Sequence, residues 1–145
     1  MYAQQAGSEA APTAGLHFTD VVRSALRRKG VQRADVVLHV GAGTFRPMSV
    51  ADPREHVMHE AWFSVPSQTA DVITRATAAG GAVWAVGTTS VRAVGAGGRL
   101  SATDGETSIF IHPPYRFQFV DHLLTNLHLP KSTLVMLVAA RAWFS

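Results

Sequence analysis

The sequence predicts an α/β fold, a partial mixed or parallel sheet with helices packed on it. Three observations lead there. Short β-branched runs alternate with longer segments of helical periodicity, the order expected when helices cover a partly parallel sheet. Glycines stand at the points where those segments should stop. The chain has 145 residues, 47% of them hydrophobic, which suits a single domain able to bury roughly 68–70% of its unfolded surface.

The elements follow in order. Residues 1–16 are small and Ala/Gly-rich and contain Pro12, so they read as an extended lead-in. Thr19 then caps a helix in which Val21, Val22, Ala25 and Leu26 form an apolar stripe, Arg23, Arg27, Arg28 and Lys29 face away, and Gly30 ends the run. Asp35 to Val40 is a β-branched run closed by Gly41-Ala42-Gly43, as expected of a buried strand entering a tight turn. Pro47 and Pro53 keep the chain irregular up to a strand at Ala61 to Val65.

Ser67 is expected to cap a second helix reaching Ala79, with Ala70 and Ile73 inward and Gly80-Gly81 as the stop. Ala82 to Val86 reads as a buried strand ended by Gly87, and Thr88-Thr89-Ser90 lead into a short helix carrying Val91, Arg92 and Val94. The Gly- and Ser/Thr-rich stretch from Gly95 to Glu106 is expected to be a mobile loop. Ile109 to Ile111 and Phe117 to Val120 read as strands around the turn His112-Pro113-Pro114-Tyr115, and Ser132 to Phe144 as a last helix.

Composition narrows the function classes. Charged residues make up 16%, below the roughly 25% of an average soluble domain. With so much apolar content the chain is not disordered, and the low charge suggests surface that meets a partner or another stretch of polypeptide. Thirteen basic residues against ten acidic ones give +3, mildly basic and without the clustered run of a nucleic-acid-binding tail. The absence of cysteine removes disulfides, thiolate nucleophiles and Cys-based zinc sites. The first residues lack a basic segment followed by an apolar one, and no apolar stretch reaches about 18 residues. A soluble, cytoplasmic chain with no membrane association is the expectation.

Several local patterns could carry chemistry. Gly41-Ala42-Gly43-Thr44-Phe45-Arg46-Pro47 follows a strand but is no dinucleotide fingerprint, because Arg46 occupies the third glycine position and Pro47 denies the following helix. It leaves a loop where backbone could approach a ligand, or simply a tight turn. Gly87-Thr88-Thr89-Ser90 would place hydroxyls and amides at a helix start, suited to an anion or a ribose, or would merely cap the helix. Arg92 in the first turn would oppose the helix dipole, which points to something anionic nearby. His56-Val57-Met58-His59-Glu60 lacks the His-Glu-x-x-His spacing and a third ligand, so no metal is expected.

Four segments in order, residues 10–19, 38–47, 86–92 and 123–134, together resemble the S-adenosylmethionine:tRNA ribosyltransferase-isomerase family of queuosine biosynthesis. They read APTAGLHFT after Ala10, LHVGAGTFRP, VGTTSVR and LLTNLHLPKSTL. The resemblance implies a co-substrate, S-adenosylmethionine, acting as ribosyl donor, and a partner, tRNA bearing 7-aminomethyl-7-deazaguanine at the wobble position. The ribosyl part moves to the aminomethyl group, adenine and methionine leave, and no metal takes part. The reaction is thought to open with removal of a proton from the ribose carbon beside the sulfonium, which requires a base.

By the same resemblance His17 and His39 are the candidate acid or base groups, with Arg46 as a third catalytic candidate. Thr13, Gly43, Thr44, Thr88, Thr89, Ser90, Arg92, Asn126, His128 and Lys131 are the candidate substrate-binding residues. The chain departs from the family pattern at Ser108, where Asp is usual, at Pro114, where Gly is usual, at His122 and Leu127, and at Ala61, which aligns with the family's Glu while Glu60 sits one place earlier.

Family members are more than twice as long, so residues 1–145 are expected to form a single α/β segment of the family's large domain, without the N-terminal part and the inserted small β-barrel domain. The implied function is the transfer reaction itself. The alternatives are an inactive truncated remnant, or the tRNA- or S-adenosylmethionine-binding piece of a split enzyme whose other half is a separate chain. A generic nucleotide-binding domain ranks last, since its glycine motif fails.

Overall fold

A computed structural model of the chain describes residues 7–9, 11, 13–41, 48–50, 52–96 and 100–143. Four helices and five strands form an α/β fold with two small sheets. In chain order these are α1 (Asp20–Arg28), β1 (Val37–Leu38), β2 (Ala61–Val65), α2 (Ser67–Ala78), β3 (Trp84–Val86), α3 (Thr88–Ala96), β4 (Thr103–Thr107), β5 (His122–Leu124) and α4 (Thr133–Ala142). One sheet is antiparallel in the order β1-β2-β4, and the other is the parallel pair β3-β5.

β2 organises the antiparallel sheet. Its alternation sends Ala61, Phe63 and Val65 into the core and leaves Trp62 and Ser64 half-covered, the period-2 pattern of a strand with one buried face. β1 pairs with it through Val37 and Leu38 opposite Ser64 and Phe63, and β4 pairs along its whole length, from Ala61 opposite Thr107 to Val65 opposite Thr103. β4 is a correction to the sequence reading, because it lies inside the stretch expected to be a mobile loop. Its residues, TDGET, have poor intrinsic strand preference. The open edge of β2 supplies the backbone partners that override it.

The expected strands at 109–111 and 117–120 do not form. Ile111 and Val120 are buried nonetheless, so the apolar signal reported burial and not pairing. Pro113 and Pro114 remove two backbone donors between them, and the parallel partner of β3 is instead β5, with Trp84, Ala85 and Val86 opposite His122, Leu123 and Leu124.

The helices start and stop largely where their chemistry dictates. The Val22 amide donates to the Thr19 hydroxyl and the Val135 amide to that of Ser132, so both residues act as N-caps. Pro66, not Ser67, is the N-cap of α2. α2 ends in a left-handed residue, Gly80 at φ 76°, with the Gly81 amide donating to the Ala76 carbonyl and the Gly80 amide to that of Thr77, the hydrogen-bond pair of a Schellman stop. α1 buries none of its residues, and the apolar stripe read from the sequence leaves Val21 77% exposed.

α3 sits between the two sheets. Ala93, fully buried, belongs to the core made by Leu38, Val40, Phe63 and Val65, whereas Val91 and Val94 belong to the core made by Ala85, Ile111, Leu137 and Ala140. Arg92 is buried with them at 2% exposure. Two stability outcomes follow. Leu137→Ala is expected to cost about 2–5 kcal/mol in urea unfolding, as a fully packed leucine leaves a cavity, while Val135→Ala on the exposed face of α4 stays within about 0.5 kcal/mol. Arg92→Met, which removes a buried charge that has no partner among the described residues, is expected to stabilise by about 0.5–2 kcal/mol in a buffer free of phosphate and sulfate, read as a higher Tm.

Candidate active site at the carboxyl ends of the parallel strands

Parallel strands place their carboxyl ends side by side, and the loops leaving them form a crevice where α/β proteins bind ligands. Here those ends are Val86 and Leu124. The Gly87 amide donates to the Leu124 carbonyl at 2.9 Å, tying the two exits together. Gly87 at φ 88° turns the chain directly into α3, a backbone conformation that a side chain would strain. The second exit, Thr125 to Leu129, runs along the same side.

A cavity of about 410 Å³ lies between these exits, the 3-10 turn Thr13–His17 and the start of α4. That volume lies within the roughly 300–1,000 Å³ of small-molecule sites. Six of the residues singled out in the sequence line it: Thr13, Thr88, Thr89, Arg92, Asn126 and His128. Gly87, Thr125 and Ser132 add polar groups, and Ala14, Val40, Leu127, Leu129 and Leu134 supply apolar wall. Ser132 was missed as a site residue, although its place as the N-cap of α4 directly after Lys131 was a usable signal.

A hydrogen-bond chain joins residues far apart in sequence. The Asn126 Nδ2 donates to the Thr13 Oγ1 at 2.9 Å, and the His17 Nε2 lies 3.2 Å from the Asn126 Oδ1. Because the amide nitrogen is committed to Thr13, the oxygen faces His17, so Nε2 carries the proton and donates. In the neutral ring Nδ1 is then left as an acceptor. His128 is held by Thr125, whose hydroxyl lies 3.0 Å from Nε2. Burial holds the His128 imidazole below its ordinary range.

Arg92 is placed by helix geometry. It follows Thr88 by four residues, so both share one face of α3, and the backward tilt of helical side chains carries its guanidinium over the first turn. The sequence reading had Arg92 within that first turn; it lies one turn further in. Its Nε, Nη1 and Nη2 have no hydrogen-bond partner among the described residues. Desolvation alone pushes its pKa down.

The remaining sequence candidates lie elsewhere. The Ser90 hydroxyl donates to the Val86 carbonyl at 2.7 Å, closing the start of α3. Lys131 is exposed at φ 57°, and its carbonyl accepts from the Met48 amide. His39 stands off the cavity, its ring 4.8 Å from that of Trp62, whereas the neighbouring Val40 lines it. Gly43, Thr44 and Arg46 lie outside the described residues. Among the described residues no group of three His or carboxylate side chains could hold a metal, and no helix is long and apolar enough to cross a membrane.

The chain is similar to the crystal structure of S-adenosylmethionine tRNA ribosyltransferase from Thermotoga maritima, with a TM-score of 0.70 and 43% sequence identity. The match covers 88% of this chain and 40% of that one, so the chain spans less than half the length of that protein. The family model described as queuosine biosynthesis protein matches residues 1–143. The chain belongs to that queuosine biosynthesis family.

Proposed function

We propose that this chain builds part of the site that moves the ribosyl moiety of S-adenosylmethionine onto the aminomethyl group of a 7-aminomethyl-7-deazaguanine base in tRNA, giving epoxyqueuosine-tRNA. One observation carries the reading: three family-like segments, from residues 10–19, 86–92 and 123–134, converge on a single cavity at the carboxyl ends of β3 and β5. The family match and the 43% identity to a tRNA ribosyltransferase support the same reading.

The residues divide the work by their chemistry. The His17 ring, exposed beside the cavity and held through Nε2 by Asn126 of its wall, carries Nδ1 as the base for the proton on the ribose carbon beside the sulfonium. Asn126, anchored on Thr13, acts as the positioning residue that keeps that tautomer. The apolar wall of Ala14, Val40 and Leu134 accepts the adenine and thioalkyl parts of the donor and excludes water. His128 stays neutral and serves as a hydrogen-bonding group at the cavity wall. As one segment of a larger domain, covering 40% of its relative's length, the chain supplies this cavity, and the rest of the domain would come from further polypeptide or a separate chain.

The test is adenine release, followed by chromatography, from S-adenosylmethionine mixed with tRNA carrying the 7-aminomethyl-7-deazaguanine base. Release that depends on that tRNA, from the chain alone or on adding the remaining part of a family member, is the expected result. Silence from folded protein in both mixtures would sink the enzyme reading and leave a folded remnant. In the active mixture His17→Gln should lower kcat about 10²–10⁴-fold, with KM for S-adenosylmethionine little changed. A small effect on kcat would remove His17 from the role of base.

His128 gives a second readout, in stability. Its pKa is lowered on folding, so the unfolded chain binds more protons than the folded one as the pH drops below the ordinary histidine value near 6.5. Its contribution is therefore fully retained above that pH and is lost as the pH falls toward the depressed value. The Tm should drop between pH 7.5 and pH 5.5 by more in the parent chain than in His128→Gln. Equal drops would mean that His128 is not desolvated by the fold.

A further inference from the structure

Arg92 poses a problem that the fold does not solve. A guanidinium cannot shed its proton in a protein, so this side chain is charged at 2% exposure with none of its three nitrogens hydrogen-bonded among the described residues. An isolated buried charge is strongly unfavourable, and buried charges are as a rule paired. None of the residues lining the cavity carries a carboxylate. No anion among the described residues answers it, and the cavity that Arg92 lines is where the anion of a ligand would reach it.

The surroundings define what kind. Beside Arg92 on the same face of α3 lies Thr88, and the amides of Thr88 and Thr89 occupy the first turn, where no intrahelical acceptor reaches them. α3 is nine residues long, so its positive end adds to the field of the guanidinium. Fork and amides together suit a planar oxyanion taken bidentately. The rest of the wall is largely aliphatic, with Ala14, Val40 and Leu134 in place of further cations. A phosphodiester arrives on a bulky hydrated polymer and calls for clustered exposed cations, whereas Arg92 is single and enclosed. A carboxylate on a short alkyl chain meets both conditions.

We propose that Arg92 and the first turn of α3 hold the α-carboxylate at the methionyl end of the ribosyl donor, and keep hold of it when methionine becomes the leaving product. The assignment rests on the function proposed above and extends it to the donor's orientation. With the carboxylate anchored at α3, the sulfonium and ribose are directed toward the opposite exit, where Asn126 holds His17.

Binding measurements on the full chain test this, by calorimetry for the nucleosides and by thermal shift for the small ligands. S-adenosylmethionine should bind about 10–100-fold more tightly than its decarboxylated analogue, the span expected for one charged hydrogen-bonded contact. Arg92→Gln should erase that preference by weakening only the carboxylate-bearing ligand, and Arg92→Lys should restore part of it. L-methionine should raise the Tm of the parent chain, while methioninol should not. The comparison of the two nucleosides needs no variant, so it decides the matter even if Arg92→Gln fails to fold.

The outcomes separate. If S-adenosylmethionine binds but its carboxylate makes no difference, the Arg92 assignment is wrong and the proposed function stands. If neither nucleoside binds while methionine still raises the Tm through Arg92, the carboxylate site stands and the donor reading falls. Should inorganic phosphate at millimolar concentration raise the Tm through Arg92 where methionine does not, the site belongs to a phosphate and the proposal is overturned. Absence of every response overturns both.

Discussion

Everything in this structure turns on α3 being enclosed between two unlike sheets. One side of the helix must fit the antiparallel sheet, and it does so with Ala93, the smallest side chain that still favours a helix, buried completely. The other side fits the parallel pair and α4 with Val91 and Val94. A helix clamped on both sides has its axis and rotation set, so the direction of every residue on it is set as well. That is how Thr88 and Arg92 come to share a wall of the cavity without any side-chain partner to hold them there. Packing does the positioning, and the polar groups are left free for a ligand.

The two sheets divide the labour. The antiparallel sheet, with β2 at its centre, is a scaffold: β2 buries Ala61, Phe63 and Val65, and of the sheet's residues just beyond the strands only Val40 touches the cavity. The parallel pair is short, three residues a strand, and would be weak on its own. Its value is directional, since only a parallel pair brings two chain exits to the same edge. The bond from the Gly87 amide to the Leu124 carbonyl holds those exits in register. The helix start and the Thr125–Leu129 segment are thus neighbours by construction.

Much of this was legible in the residues. The strand cores at 37–38, 61–65 and 84–86, the stops at Gly30 and Gly80 and the cap at Thr19 are local signals, and local physics decided them. β4 was not legible, because Thr103 to Thr107 carries no strand signal of its own and its conformation is imposed by β2 across the gap. Ile111 and Val120 misled for the opposite reason. Their apolarity requires burial, which a coil segment can provide as well as a strand. Six site residues of thirteen could be gathered on one cavity because motif order in the sequence maps onto chain exits in the fold. His39 could not be sorted from Val40 by sequence, since both lie in the same motif just beyond β1 and only Val40 lines the cavity.

The two roles proposed for Arg92 and His17 call for unlike surroundings. A guanidinium close to an imidazole would favour the neutral ring and weaken it as a base. Here Arg92 lines the cavity from α3, inside the protein, while His17 is exposed beside it and reaches its wall through Asn126. The burial of Arg92 preserves its pull on any anion that reaches it. Deep charge for holding and shallow nitrogen for proton transfer is a division that follows from where each residue leaves its element. Thr88 and Arg92 leave from a clamped helix, and Thr13 and His17 from a short turn whose side chains are hydrogen-bonded to Asn126. Under the proposed roles, a shift in that turn would move His17 without moving Arg92, so turnover would be more sensitive to the contacts of the turn than donor binding.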